Sequence, residues 1–398
     1  SGEPIDLYAG FNDLDEARYI VEQIERWLEW GNLRASAAVL YRSNAQSRVL
    51  EEALIRAAIP YRIYGGQRFY ERMEIRNALA YLRLLANRGD DASVERVINT
   101  PPRGIGSKTL DTVRECARDR GIPLWQAIGA VLEEKLLPAR ALSALEGFTV
   151  LINELDSGTD AMNLEELVEH VTNASGLVDY HQKEKGEKGQ ARVENLEELV
   201  NAAKQFVPEG EELSPLQQFL DNAALDAGDA QADEHEDSVQ LMTLHSAKGL
   251  EFPLVFLAGM EENLFPHRMS LEEPGRLEEE RRLCYVGITR AMEKLVITYA
   301  ESRRLHGGET FNTPSRFIRE IPPGLLQEVR LHTTVSRPVS SILQAQVPDT
   351  GLSLGQRVYH QLFGEGIVLN FEGRGASARV EVNFDQEGSK WLVLQYAN

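Results

Sequence analysis

The chain has 398 residues, 42% hydrophobic and 26% charged, with a net charge of −20. That length fits two or three domains with a substantial core, and the acidity excludes a protein that coats nucleic acid by overall charge, though not one with a local basic groove. Two cysteines, Cys116 and Cys284, exclude a disulfide framework or a cysteine metal cluster and favour a reducing compartment. With no signal peptide and no apolar run long enough for a bilayer, the expected location is the cytoplasm, and a membrane is not an expected partner.

Residues 4–8 alternate as a short strand. Residues 13–30 form an amphipathic helix, with Ala17, Ile20, Val21, Ile24, Trp27 and Leu28 on one face, Asp13 or Asp15 as its cap and Gly31 as its stop. Residues 37–41 read as a buried strand, 42–48 as a polar turn, 49–58 as a helix and 60–64 as a strand closed by Gly65 and Gly66. Much later come buried strands at 239–244 and 254–258, a helix at 276–291 and a strand at 295–299. The two groups predict the halves of one parallel sheet covered on both faces.

Between them, residues 66–237 are rich in helix formers. Candidate helices lie at 71–87, 93–98, 107–119, 123–134, 138–155, 164–172, 192–205 and 215–224, which predicts an all-helical domain inserted into an α/β domain. Gly65–Gly66 and the acidic stretch 221–237 are its expected hinges, so the block can swing as a body. No Lys or Arg occurs between Lys204 and Lys248. After the core and residues 315–321 comes a Ser/Thr/Pro linker over 333–353. Residues 354–398 alternate as short strands with Gly-rich turns and predict a small β-barrel.

Several residues carry chemistry only in combination. Arg290 precedes the strand at 295, where a guanidinium can stabilise a transferring phosphoryl group; the bland reading is a surface arginine paired with Glu293 or Glu280. His245, Lys248 and Glu251 are read just past the carboxyl end of the strand 239–244, where parallel sheets collect ligands. Lys248 and Glu251 can equally be an exposed i, i+3 pair, and His245 a structural histidine. Thr243, His245 and Ser246 together can hold a phosphate backbone. Asn44 and Arg48 enter a helix, which attracts phosphates or is simply capped. Arg103, Gly104, Gly106 and Lys108 lie in PPRGIGSK. Ser107 breaks the P-loop spacing, so the stretch reads as a hairpin that faces a duplex phosphate or merely joins two helices. Lys183, Lys185, Lys188 and Arg192 form a second basic cluster, read as a solvated loop or a duplex contact. Nowhere is there a P-loop with its acidic Mg²⁺ strand, so this chain is not expected to hold ATP by the usual route.

LYRSNAQSRVLEEAL (40–54), TPPRGIG (100–106), EKGEKGQARVENLEELV (184–200), VQLMTLHSAKGLEFPLVFLAGMEENLFP (239–266) and EEERRLCYVGITRA (278–291) closely resemble the UvrD/PcrA/Rep family of superfamily 1 DNA helicases, across essentially the whole chain. The resemblance implies a 3′→5′ translocase with two RecA-like domains, ATP and Mg²⁺ in the cleft between them and single-stranded DNA across their tops. It implies a discontinuous second RecA-like domain (1–65 and 238–332), an inserted helical domain (66–237) and a Tudor-like β-barrel (354–398). By position, Arg290 meets the γ-phosphate, Glu251 the ribose, and Lys248 supports that cleft. Thr243, His245, Ser246, Asn44 and Arg48 line the single strand, and Arg103, Gly104, Gly106 and Lys108 approach duplex or junction DNA. The barrel is expected to dock partners such as RNA polymerase or nucleotide-excision-repair proteins.

The departure from the family is the first RecA-like domain, which this sequence lacks, with its P-loop. The chain therefore reads as the carboxy-terminal half of a DNA-repair helicase, unable alone to hydrolyse ATP. The competing reading is a stand-alone module that binds DNA or RNA polymerase.

Overall fold

The computed structural model describes residues 3–184, 186–210, 212–228, 236–272, 275–305, 308–329, 356–360, 363–372, 379–384 and 388–393. The chain divides into two compact units, Ser1–Arg330 and Leu331–Asn398. The expected linker at 333–353 and Lys185 lie outside the described residues.

The first unit begins with β1 (Ile5–Gly10), α1 (Asp13–Glu29), β2 (Ala37–Tyr41), α2 (Ser47–Arg56) and β3 (Tyr61–Ile63). Asn12, rather than Asp13 or Asp15, caps α1, accepting the Asp15 N–H at 2.9 Å. Asp15 is engaged by Tyr8 and the Phe11 N–H. Gly31, at φ +85°, closes the helix as its sequence position implies.

The insert contributes α3 (Met73–Ala86), α4 (Asp91–Val97), α5 (Ser107–Arg120), α6 (Leu124–Glu133), α7 (Ala139–Asp156), α8 (Leu164–Ala174), α9 (Leu177–Gln182), α10 (Glu187–Gln205) and α11 (Pro215–Gly228). The α/β part resumes with β4 (Val239–Thr243), β5 (Phe252–Leu257), α12 (Arg268–Glu272), α13 (Arg276–Ile288) and β6 (Ala291–Ala300). It ends with the hairpin β7 (Ser302–Leu305) and β8 (Gly308–Phe311), α14 (Arg316–Arg319) and β9 (Leu326–Glu328).

The main sheet runs β3-β4-β2-β5-β6-β1-β9, with every pairing parallel. All of β2 is buried, because one hydrophobic cluster covers each face of the sheet. The fold is thus the RecA-like sheet expected from sequence, with an added edge strand, β9. Three residues of LQE carry too little pattern to announce that strand.

The insert has its own core, built around Tyr81, Phe148, Phe219 and other side chains separate from both sheet clusters. Its two ends leave from neighbouring strands of the sheet. β3 and β4 are neighbours with Tyr61 opposite Val239. In a parallel pair the chain departs at the carboxyl end of β3, with Ile63 level with Leu241, and returns at Val239 at the amino end of β4, about 7 Å away along the strands.

In the second unit, β10 (Arg357–His360), β11 (Gly364–Glu372), β12 (Arg379–Phe384) and β13 (Gly388–Val393) form an antiparallel sheet in chain order. Val368, Val380, Val382 and Phe384 form its core. These are the strands the alternating pattern predicts for an SH3/Tudor-like barrel.

Candidate nucleotide and nucleic-acid site

The connector between β4 and β5, residues 244–251, organises the site. Thr243 ends β4 level with Tyr41 of β2, whereas Leu254 of β5 is level with Ala37. Both strands run the same way, so the connector must return from the carboxyl edge of the sheet to its amino edge, about 20 Å along the strand direction. The expectation that His245, Lys248 and Glu251 share one carboxyl end is corrected accordingly. Thr243, His245 and Ser246 lie on the carboxyl edge, and Glu251 lies next to β5 on the amino edge. The turn is pinned by Ser246 N–H and Ala247 N–H to the Thr243 carbonyl (3.0 and 3.2 Å) and by Leu250 N–H to the Ala247 carbonyl (3.1 Å). Ala247 is fully buried and anchors the middle.

Arg290 stands at the amino edge as well, between the end of α13 and β6, where its carbonyl accepts the Phe252 N–H at 2.9 Å. Its Nε donates to the Val286 carbonyl (3.0 Å), Nη1 to the Leu250 carbonyl (2.8 Å) and Nη2 to Thr289 Oγ1 (3.1 Å). A guanidinium has five N–H donors. These bonds leave one on each terminal nitrogen, a pair suited to a phosphate. The bland partner Glu280 is taken by Arg42, at 2.7 Å, a residue that the sequence offers only as part of a turn. Lys248 and Glu251 are exposed, and among the described residues neither has an ion-pair partner.

On the carboxyl edge, a cleft of about 720 Å³ brings Asn44, Thr243 and His245 together with Lys188 and Gln190 of α10. Thr243 Oγ1 and Ser246 Oγ are 3.1 Å apart. Partial burial, then the nearby Arg42 charge, lowers the His245 pKa from its ordinary value, so the imidazole is neutral at pH 7.

Arg48 does not join them. It is 2% exposed, with Nε 2.6 Å from Glu198 of α10, Nη1 2.8 Å from Glu52 and Nη2 2.8 Å from Gln205. Burial opposes its charge, but Glu198 and Glu52 outweigh that and keep it protonated. The reading of Arg48 as a DNA contact is corrected: the first turn of α2 faces the insert, not solvent. Arg72 works beside it, donating to the Asn44 carbonyl, Asn195 and Ser47.

In the insert, Gly104, Gly106 and Lys108 are exposed at the start of α5, and Gly104 needs its φ of +79°. Arg103 is corrected as a free phosphate ligand. It clasps the carbonyls of Val97, Pro101 and Ser175 at 3.1, 3.1 and 2.9 Å and lies over the Tyr81 ring. Lys188 and Arg192 sit on α10 rather than in a loop, and Arg192 is held by Glu184 at 2.6 Å; Lys183 and Lys188 are exposed.

Sequence reading missed a different basic patch. Arg76 and Arg83 lie two turns apart on α3, and Arg96 of α4 reaches Asn77 between them at 3.4 Å. Among the described residues none of the three has a carboxylate partner. Burial, Arg76 and Arg83 all lower the Arg96 pKa. The signal was present as an i, i+7 arginine pair in a chain of net charge −20.

No helix among the described residues is long and apolar enough to cross a membrane. Residues 1–302 match the family described as the UvrD-like helicase C-terminal domain, and residues 354–398 the PcrA/UvrD tudor domain. The chain is 59% identical over 401 residues to DNA helicase II of Escherichia coli (strain K12) and 53% over 403 residues to DNA helicase II of Haemophilus influenzae. It is 38% identical over 414 residues to the ATP-dependent DNA helicase PcrA of Staphylococcus epidermidis. Each alignment takes in 100% of this chain and 55–56% of the relative, so the chain spans about half the length of the curated relatives it matches.

Proposed function

This chain belongs to the UvrD-like DNA helicases, and on that premise we propose that it forms the part of a 3′→5′ ATP-dependent DNA helicase that closes the nucleotide cleft on one edge and carries single-stranded DNA on the other. The connector 244–251 supports this reading most. Its His245 lies in the carboxyl-edge cleft, next to Thr243 at the end of β4, and its Leu250 carbonyl holds Arg290 on the amino edge. A strand moving past Thr243 and His245 is thereby linked, through one short pinned segment, to the group that meets the nucleotide.

Arg290 stabilises the charge that spreads over a transferring phosphoryl group, Glu251 contacts the ribose, and Lys248 supports the same cleft. ATP would supply the phosphoryl group, and Mg²⁺, when bound, would offset the charge on its oxygens. The 398 residues hold no P-loop pattern, so the phosphate cradle and the Mg²⁺ ligands belong to the remainder of the relatives' length, and the chain alone turns over no ATP. Asn44, Thr243, His245 and Ser246 line the single strand. Gly104, Gly106 and Lys108, with Arg76, Arg83 and Arg96, meet the duplex at the junction. The insert is a domain hung on β3 and β4, and the barrel docks a protein partner such as RNA polymerase or a nucleotide-excision-repair protein. The whole works in the cytoplasm. A pure binding module leaves the restrained Arg290 without a role.

The test is a chimaera in which this chain replaces the matching segment of the Escherichia coli DNA helicase II. DNA-stimulated ATP hydrolysis and unwinding of 3′-tailed duplex are expected from the chimaera and neither from the chain alone. A folded chimaera that binds DNA but hydrolyses no ATP contradicts the proposal.

A further inference from the structure

Arg290 is flexible enough to adopt many rotamers, yet it is tied down at every nitrogen. Two of its acceptors are main-chain carbonyls, of Val286 and Leu250. The third is a side chain, Thr289 Oγ1, at 3.1 Å. A threonine hydroxyl has one proton, and here it goes to the Val286 carbonyl at 3.0 Å. The hydroxyl is therefore fixed as an acceptor towards Arg290, with no freedom to turn its own proton that way. Thr289 is also the last residue of the α13 turn, with φ −76° and ψ 0°, its N–H bonded to the Tyr285 carbonyl at 3.0 Å. Its backbone needs no help from the hydroxyl to end the helix.

We propose that Thr289 is a positioning residue for phosphoryl transfer: its hydroxyl, polarised by the Val286 carbonyl, holds Arg290 Nη2 so that one N–H on each terminal nitrogen is left for the phosphate. This rests on the reading of Arg290 as the group that meets the transferring phosphoryl. The energetic logic is orientation. A guanidinium already placed gives up less freedom as charge develops, so the benefit falls on the chemical step rather than on nucleotide binding. Valine has the shape of threonine without the acceptor, and serine has the acceptor without the methyl group, so the two variants separate hydrogen bonding from packing.

The experiment is steady-state ATP hydrolysis with single-stranded DNA in a full-length helicase carrying this chain, with binding of a non-hydrolysable ATP analogue measured in parallel. Thr289→Val is expected to lower kcat about tenfold or more, as for loss of a hydrogen bond to a charged group. It should leave KM for ATP and analogue binding within about twofold, and Thr289→Ser should stay within about threefold of the parent. In an Arg290→Ala background, Thr289→Val should add less than about twofold, because two residues acting as a unit are not additive. Unchanged kcat in Thr289→Val, or an equal loss on top of Arg290→Ala, overturns the assignment and leaves only a helix-end hydroxyl. If Arg290→Ala itself keeps full turnover, the parent reading fails and this inference falls with it.

Discussion

Arg48 and Glu198 form an ion pair that joins the parallel-sheet domain to the helical insert, Nε to carboxylate oxygen at 2.6 Å, with the arginine almost wholly buried. Around it, Glu51 accepts the Phe69 N–H at 3.2 Å, and Arg72 reaches from the start of the insert to Ser47 of α2 at 2.6 Å. The insert is therefore not a loose appendage on two glycines. Its orientation is held by directional, desolvated polar bonds, which are either made or broken. Any swing of the insert passes through the rupture of this set.

Removing Arg48 should cost about 3–5 kcal/mol, because Glu198 stays buried without its counter-charge, whereas removing Glu198 should cost less, because Arg48 keeps Glu52 at 2.8 Å. Arg48→Met and Glu198→Leu should show that order in urea unfolding, and the double variant should cost less than the sum. Strict additivity in that cycle would mean that the two groups do not interact across the joint.

The basic residues of the insert should split into two classes. Arg103→Ala should lower thermal stability, since its guanidinium closes three carbonyls, without selectively weakening DNA binding. Replacing Arg76, Arg83 and Arg96 by Ala should weaken junction binding and lower the salt slope by about one for each phosphate that is no longer neutralised. Short single strands, assigned to Asn44, Thr243 and His245, should bind nearly as before. Salt titrations on both DNA types check this, and equal weakening on the two would remove the patch from the duplex.

Much of the fold is legible in the sequence. The buried runs of β2, β4 and β5 and the 3.6-residue period of α1 identify a parallel sheet and its helices directly, since each depends on local pattern. Arg48 and Arg103 mislead for one shared reason. An arginine beside a helix start or a glycine turn looks the same in sequence whether it faces solvent or another element. The choice is made by Glu198 and by the Ser175 carbonyl, which are remote in the chain. The division of the connector between two edges is hidden as well, because strand direction, not residue type, decides where a connector must end.

The joint should also respond to acid. Glu194 of α10 accepts from Ser43 at 2.6 Å and lies 3.0 Å from His267 Nε2. Burial pushes its carboxyl up, but hydrogen bonds from His267, Ser43 and Gln190 outweigh that and hold it below the ordinary carboxylate value. Glu280 is held down against burial in the same way by Arg42. A depressed folded pKa gives stability that is present above the unfolded value, about 4.3, and lost as pH falls through the folded one. Glu194 and Glu280 should therefore lower the urea midpoint as pH drops below about 4.3, against the opposite contribution of Glu51 and Glu198, whose carboxyls burial pushes up, and Glu194→Gln should remove its share of the fall. An unchanged slope would mean that Glu194 stays protonated or unpaired.

Direction of travel is a separate expectation. A chimaera built on this chain should unwind a duplex with a 3′ single-stranded tail and leave a 5′-tailed duplex largely intact. Equal unwinding of both would contradict the assigned polarity.

Under the proposed function, this chain contributes the arginine that completes an ATP-hydrolysing site. The most direct measurement is single-turnover ATP hydrolysis by a DNA-bound chimaera carrying Arg290→Ala or Arg290→Lys, with nucleotide affinity measured alongside. A rate loss of about 10³-fold or more is expected with affinity little changed, and no rescue by lysine, whose point charge does not reproduce the planar fork. A lysine variant with near-parental turnover, or an alanine variant that loses affinity but keeps its rate, would contradict it.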